Sequence, residues 1–495
     1  MSIDSLSIMA VFFLYLAAMI AIGVFFYRRT ESVSNYFLGD RKLNKWVTAL
    51  SAQASDMSGW LLLGLPGFAY LEGLSAAWTA LGLAVGTYLN WRCVARRLRL
   101  YTEAAGNAIT LSDYFENRFR DHSKKLRVVS AVFIILFFLI YTASGFVAGG
   151  KLFSTVFGIS YTHALLIGVV VVVSYTFLGG FNAVCWTDAI QGSLMFFAIA
   201  IVPFAATLSL GRSVTWSELQ SVDPAFLDLF GSARGVGFGA GLIAIVSALA
   251  WGVGYFGQPH ILARFMAIRS AEDITPSRRI AMTWVAIALA AAVAVGMIGR
   301  VYLTTALDGA DSEKVFMLVV ADLFPSVIAG VLLAAILAAI MSTADSQLLV
   351  TASALTEDIY RVFVRKRASD AELVRLSRRT VGAVAAVACL VALNPESSVF
   401  DLVAYAWAGF GAAFGPTIVL SLYWRRMNRQ GALAGIVVGG VTALIWKHIE
   451  GGLFDLYEIV PGFAFSSVAI VTCSLLTAPP SAEIAAEFDA VNSGT

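Results

Sequence analysis

Apolar runs of about twenty residues follow one another along almost the whole chain, broken by short polar stretches that hold most of the charge. Thirteen such runs are read as membrane-spanning helices, at about 5–27, 46–72, 75–95, 127–149, 162–181, 187–209, 235–258, 280–302, 326–350, 380–394, 399–424, 431–449 and 459–478. Two of them are interrupted in the middle. The second carries Ser51-Ala52-Gln53-Ala54-Ser55-Asp56-Met57-Ser58-Gly59-Trp60 inside an otherwise lipid-grade segment. The seventh carries Trp251-Gly252-Val253-Gly254-Tyr255-Phe256-Gly257-Gln258-Pro259, whose glycines and proline weaken and end a helix.

A carboxylate at bilayer depth costs about 2.5–3.5 kcal/mol even on lenient insertion scales, so Asp56 faces protein or water instead of lipid. Small polar neighbours and Gly59 let the helix open between Ala54 and Gly59, and backbone so exposed survives at that depth only where it lines a cavity. The plainer reading is a serine-rich helix packed closely on its neighbours, with Asp56 near one interface. The interrupted runs lie five apart, which suggests two repeats, runs 2–6 and 7–11, each led by a broken helix. Two unrelated kinks are the alternative.

Composition agrees with the pattern. The 495 residues are 59% hydrophobic and 13% charged, about half the charge of a water-soluble domain, and mean hydropathy is +0.80. The net charge of +2 gives no reason to expect a nucleic-acid partner. Residues 5–27 lack the basic start and small-residue cleavage site of a signal peptide, so they read as a retained first span. With the amino terminus outside, the outer side keeps Lys151, Arg212, Arg234, Arg300, Lys314 and Lys447. The other 28 of the 34 Lys and Arg then fall inside, among them Arg28, Arg29, Arg41, Arg92 to Arg127, Arg264 to Arg279, Arg361 to Arg379 and Arg425 to Arg429. The polar tail, 479–495, is then cytoplasmic. Two outer loops, 210–234 and 305–325, are long enough to gate an entrance or merely to connect, and Leu111 to Glu116 reads as a capped interfacial helix. The whole chain, 1–495, reads as a single membrane domain. Its repeats cover about 46–209 and 235–424, with peripheral helices at 5–27, 431–449 and 459–478.

Candidate chemistry is sparse. The four cysteines and four histidines are dispersed, without metal-ligand spacing. Gly145 to Lys151 nearly fits a phosphate loop, but Leu152 replaces the required hydroxyl residue and the stretch follows a membrane helix instead of a strand. No hydrolase motif is present, and no catalytic residue is assigned. Ser342 and Thr343 are adjacent hydroxyls in the small-residue ninth run. With carbonyls of Ala54, Met57 and Ala339 they would make a five-oxygen cage for a hard monovalent cation. The competing reading is hydroxyls bonded back to carbonyls one turn earlier. Asp188 either lines an ion path or caps the next helix. Tyr141, Trp251, Tyr255 and Pro259 either face a cavity or serve as packing.

The motifs Ala54 to Trp60, Gly179-Gly180 with Trp186-Thr187-Asp188 and Gln191, Trp251 to His260, and Ala339 to Thr343 together resemble those of the sodium:solute symporter family, and of its bacterial proline-carrying members in particular. The likeness runs from Asn35-Tyr36-Phe37-Leu38-Gly39 to the last span. It implies an all-α membrane fold of about thirteen helices with two inverted five-helix repeats, LeuT-like, and broken helices 2 and 7. It implies sodium-coupled import of L-proline across a bacterial inner membrane by alternating access, with sodium as co-transported ion, no organic cofactor and no enzyme activity. Sodium would sit at Ala54, Met57, Ala339, Ser342 and Thr343, with Asp56, Ser58 and Gly59 beside ion and substrate. Trp60, Tyr141, Trp251, Tyr255 and Pro259 would shape the substrate pocket. Asp188 would line the ion path, Asp345 adds a carboxylate at its inner mouth, and Arg41 matches a basic residue used in coupling. A monomer suffices for this scheme. Rival readings are a symporter of pantothenate, a sugar or another amino acid, a sodium channel, or a non-transporting sensor.

Overall fold

The computed structural model describes residues 5–27, 32–176, 180–231 and 238–493. Arg28, Arg29, Gly179 and Arg234, used above, lie outside the described residues. Regular structure in the described residues is helical, apart from one isolated parallel bridge between Leu43 and Ile268. The long apolar helices are α1 (Ser5–Tyr27), α2 (Lys45–Gly59), α3 (Leu65–Glu72), α4 (Ala77–Leu89), α5 (Lys125–Phe157), α6 (Tyr161–Thr176), α7 (Phe181–Leu210), α8 (Phe238–Ala250), α9 (Pro259–Ala267), α10 (Ile274–Tyr302), α11 (Ser326–Ser353), α12 (Asp370–Val391), α13 (Val399–Tyr423), α14 (Arg429–Trp446) and α15 (Ile459–Leu476).

Among the described residues, ten helical runs are long and apolar enough to cross a membrane. Each of the thirteen runs of the sequence overlaps a helix, and three of them do not count separately by length and apolarity. Runs two and three lie in one stretch, Lys45–Ala104, whose backbone leaves helical geometry between them at Gly73, with φ 63° and ψ −138°. The helix α6 has only 16 residues. The helix α12 spends its first turns on Asp370, Glu372, Arg375, Arg378 and Arg379.

The helix α2 starts on an Asn44 cap, whose Oδ1 accepts from the Trp46 and Val47 amides at 3.0 Å each. It keeps helical dihedrals through Met57 and breaks at Ser58, with φ 48° and ψ −169°. That backbone region belongs almost entirely to glycine and costs a serine about 1–3 kcal/mol. The Ser58 hydroxyl offsets part of this by accepting from the Trp60 amide at 3.1 Å, and a π-helical turn over Trp60–Gly64 leads into α3. The opening is therefore narrower than the Ala54 to Gly59 interval read from the sequence. In the seventh run, α8 ends at Ala250, Trp251–Gly257 winds as 3-10 turns, Gln258 is extended, and α9 begins at Pro259.

The helix α2 lies in a cradle of α7, α9, α10 and α11, while Trp251–Gly257 is wedged between α4 and α13. That wedge needs glycine on both sides. A Cβ on Gly86 would collide with the Gly252 carbonyl, and one on Gly252 with the Gly82 carbonyl. The helices α14 and α15 pair with each other on the flank of α13.

At the end that carries most Lys and Arg, Thr110 caps the short helix Leu111–Arg118, accepting from the Asp113 amide at 3.0 Å. The polar tail forms a helix there, Ala482–Ser493, because Ile484 and Phe488 stand one turn apart and are buried. Arg120 holds Glu487 at 2.5 Å and Glu483 at 3.3 Å, and Arg425 holds Asp489 at 2.9 Å. The hydrogen bonds from Arg425 keep the Asp489 carboxyl below its ordinary pKa. Arg118 lies over the Phe488 ring at 5.4 Å.

The close approach at Gly86 predicts a stability effect. Gly86→Val will cost about 1–3 kcal/mol or more by overpacking and lower the thermal unfolding midpoint in detergent by several degrees. Gly382→Ala, where a Cβ meets nothing within 4 Å, will leave it unchanged. Equal midpoints for both variants would refute the backbone-to-backbone wedge.

Candidate functional site

The Ala54 carbonyl, one turn before the break in α2, is the centre of a cluster of neutral oxygens. It accepts from Ser342 Oγ at 2.8 Å and from Thr343 Oγ1 at 3.3 Å, both on α11. Ser342 Oγ also reaches the Ala339 carbonyl at 3.2 Å. The back-bonding geometry is therefore present, but the shorter bond crosses between helices. Met57 follows on the next turn of α2 and is buried with Ala54, Ala339, Ser342 and Thr343. No group of three or more His, Cys, Asp or Glu side chains suited to a metal occurs among the described residues. Carbonyls and hydroxyls without a clustered charge suit a hard cation of single charge better than a divalent one.

Beside this cluster lies a small cavity of about 10 Å³, lined by Asp56, Met57, Trp60, Leu83, Tyr141, Trp251, Tyr255, Val403 and Trp407. The Asp56 carboxylate accepts from Tyr255 OH at 2.6 Å, and the Asp56 carbonyl accepts from Tyr141 OH at 3.1 Å. The backbone and the side chain of one residue are thus each held by a different tyrosine. Trp60 and Trp251 face each other at 5.2 Å and close one side of the cavity together with Phe400, 5.1 Å from Trp251. Tyr255 meets Trp407 edge-on at 4.9 Å, and Trp407 Nε1 donates to the Trp251 carbonyl at 2.8 Å. That bond satisfies a carbonyl in the irregular stretch, as burial requires.

Of the expected pocket residues, Trp60, Tyr141, Trp251 and Tyr255 line this cavity with Asp56 and Met57. Pro259 does not. It lines a second small cavity of about 20 Å³, with Phe37, Thr110, Met266 and Asp358 among its walls. Ser58 supplies the kink, and Gly59 packs where a Cβ would press on Ala148. Trp407 and Val403 were missed by the sequence reading. The one signal was a tryptophan set among Ala406, Ala408, Gly409 and Gly411 in α13.

Asp188 sits two turns inside α7, which starts at Phe181, so it is not a helix cap. It pairs with Arg264 Nη2 at 3.0 Å, both side chains being essentially inaccessible. Ser51 Oγ donates to the same carboxylate oxygen at 2.6 Å, and Arg264 also reaches Ser51 Oγ at 3.1 Å, Ser346 Oγ at 2.5 Å and the His260 carbonyl at 2.8 Å. Ser346 Oγ contacts Asp345 Oδ1 at 3.4 Å. This corrects the placement of Arg264 among loop charges. Its position in α9 carries it inside, where it joins α2, α7, α9 and α11. Arg41 lies apart from both cavities, with φ 54°. Its guanidinium donates to the Met266 carbonyl at 2.5 Å, the Ala108 carbonyl at 2.8 Å, Asn107 Oδ1 at 2.9 Å and Thr102 Oγ1 at 3.2 Å, gripping the carboxyl end of α9.

Residues 36–439 match the Sodium:solute symporter family. The chain is 50% identical over 489 residues to the sodium/proline symporter of Escherichia coli strain K12, covering 98% of this chain and 96% of that protein. It is 49% identical over 472 residues to the osmoregulated proline transporter OpuE of Bacillus subtilis strain 168, covering 94% of each. A solved Na+-coupled sialic acid symporter superposes with a TM-score of 0.80 over 96% of this chain and 99% of that one, at 20% identity, a likeness of fold.

The buried ion pair predicts a double-mutant result. Asp188→Asn leaves Arg264 without its counter-charge and will destabilise the protein by about 3–5 kcal/mol. Asp188→Asn combined with Arg264→Gln will lose less than the two single losses added together, as thermal unfolding of the four proteins will show. Strict additivity would mean the two side chains do not act as a pair.

Proposed function

The chain belongs to the sodium:solute symporter family, and from that premise we propose that it carries L-proline inward together with sodium, by alternating access, across a bacterial cytoplasmic membrane. It is a secondary transporter and not an enzyme, and its cofactor is the ion it carries. The observation that carries the reading is the sharing of the Ala54 carbonyl by two hydroxyls of α11, directly beside a cavity that holds one carboxylate and an aromatic lining.

In this reading sodium binds Ala54, Met57, Ala339, Ser342 and Thr343 and joins α2 to α11, with Asp56, Ser58 and Gly59 next to it. L-Proline enters as a zwitterion, its ring against Trp60, Trp251 and Tyr255 and near Tyr141, while Pro259 starts the helix below. Asp188 and Asp345 border the ion's inward path, and Arg41 couples the loop before α2 to α9. The interrupted backbones at Ser58 and at 251–257 favour two inverted repeats, about 46–209 and 235–424, within a scheme of thirteen spans. The basic loops favour an outer amino terminus and a cytoplasmic tail.

The energetics are adequate. One elementary charge moving through 100 mV supplies about 2.3 kcal/mol, and mutual tightening of ion and substrate typically amounts to about 1–3 kcal/mol. Proteoliposomes will take up labelled L-proline only with an inward sodium gradient. Thr343→Ala and Asp56→Ala will raise half-saturating sodium at least ten-fold with the protein still inserted. Unchanged sodium dependence in both variants would remove the site as drawn, and stronger competition by pantothenate or a sugar than by unlabelled L-proline would replace the substrate.

A further inference from the structure

The short helix Ala482–Ser493, at the basic end of the molecule, carries three carboxylates, Glu483, Glu487 and Asp489, and no Lys or Arg. A helix of 12 residues is marginal by itself in water, so this one depends on the surface it lies on. Its apolar anchor is small, with Ile484 and Phe488 buried, and arginines hold its polar face. Arg120 reaches Glu487 and Glu483, and Arg425 reaches Asp489 in a pair whose two members are more than half exposed. Such pairs are weak, and salt screens them. The Debye length falls from about 10 Å at 0.1 M to about 3 Å at 1 M.

Beneath the helix lies an arginine with idle donors. Arg118 is fully buried, its Nε donates to the Ser421 carbonyl at 3.3 Å, and its Nη1 and Nη2 have no hydrogen-bond partner. Rings cage the guanidinium instead, with Tyr101 at 4.8 Å, Phe119 at 4.9 Å and Phe488 at 5.4 Å. Of these rings Phe488 alone belongs to Ala482–Ser493. A buried guanidinium in that condition is costly, and lifting Phe488 gives its donors a route back to water. The docked state thus works against a cost of its own, and the exposed ion pairs tip the balance.

The seat also joins the two helices that hold the irregular stretch Trp251–Gly257. The helix Arg96–Ala104, on which Ala482–Ser493 lies, continues α4 through a π-helical turn at Asn90–Ala95. Arg97 there reaches Asn492, donates to the Leu422 carbonyl of α13 at 3.3 Å and lies over the Tyr423 ring at 3.9 Å. Arg425 follows directly on α13. The docked helix therefore staples α4 to α13 at their basic ends, and any step that moves one against the other must first undo it.

We propose that Ala482–Ser493 is a latch set by ionic strength. It is docked in dilute salt and released in concentrated salt, so that α4 and α13 part more readily and the transport cycle quickens. The effect on rate rests on the transport reading given above, whereas the docking stands on the contacts themselves.

Two measurements test it. Spin labels on His122→Cys and Ala490→Cys, both exposed positions, in full-length protein with its four native cysteines replaced by serine, will report the docking by pulsed electron paramagnetic resonance in phosphatidylcholine nanodiscs. At about 50 mM potassium chloride one narrow distance will be seen, and at about 1 M a broad distribution. Adding Glu483→Gln, Glu487→Gln and Asp489→Asn together will give the broad distribution at both concentrations. A narrow distance at 1 M, or in the triple variant at 50 mM, would overturn the latch. In proteoliposomes with the same two salt concentrations on both sides, osmotically matched with sorbitol and driven by the same sodium gradient, the wild type will take up L-proline at least about two-fold faster at high salt. The triple variant will be fast at both, with half-saturating L-proline and sodium within about two-fold of wild type. An equal salt response in the two proteins would overturn the link to rate. Wild-type protein that takes up no L-proline would instead remove the transport reading, and the distance measurement would still decide the docking.

Discussion

A backbone carbonyl at bilayer depth must find its donors within the protein, and the Ala54 carbonyl finds two of them on another helix. The rest of the arrangement depends on that constraint. Here Ser58 leaves the helical region, and α11 approaches with hydroxyls at Ser342 and Thr343. These groups can rotate their protons away and present lone pairs instead. A set of oxygens that satisfies itself by internal hydrogen bonds can thus accept a small cation without moving the helices far. Pure carbonyls could not pair with one another.

The same break organises the cavity. It places Asp56 where its backbone and side chain are held by Tyr141 and Tyr255, which come from α5 and from the irregular stretch between α8 and α9. The two interrupted segments are therefore joined by a hydrogen bond through the Asp56 carboxyl group. The glycines at 82, 86 and 252 let the irregular stretch lie directly on α4. Its carbonyl at Trp251 is met by Trp407, so the departure from regular helix leaves that group paired.

Much of this was legible in the chain because lipid is an unforgiving solvent. Asp56, Ser58 and the Gly252-Gly254-Gly257-Pro259 pattern contradict a lipid-facing helix, and the pairing of Ala54 with Ser342 and Thr343 followed from small oxygen-bearing residues in two apolar runs. What remained hidden depended on where chain ends and charges turn in three dimensions. Arg264 belonged by position to a basic loop, and only the extension of α9 to Ala267 carries it inward to Asp188. Trp407 is one tryptophan among 11, with no local sign that its indole meets a 3-10 turn. The tail looked merely polar, since two apolar residues one turn apart, Ile484 and Phe488, are a weak signal without the Tyr101 and Arg118 surface they cover.

Two different kinds of contact hold the elements around the central cavity. On one side Trp60, Trp251 and Phe400 meet through ring contacts, worth about 0.5–1.5 kcal/mol for each pair beyond the apolar area they bury. On the other, Asp188 and Arg264 are joined by an ion pair with no solvent access, reinforced by Ser51 and Ser346. Separating those charges without supplying a substitute would strand each in a medium of low polarity, which costs far more. A cation arriving near Asp188 is such a substitute, because it can take over the role of the guanidinium. The aromatic contacts are therefore held by packing alone, whereas the Asp188–Arg264 pair parts at low cost only where another charge takes the place of one partner.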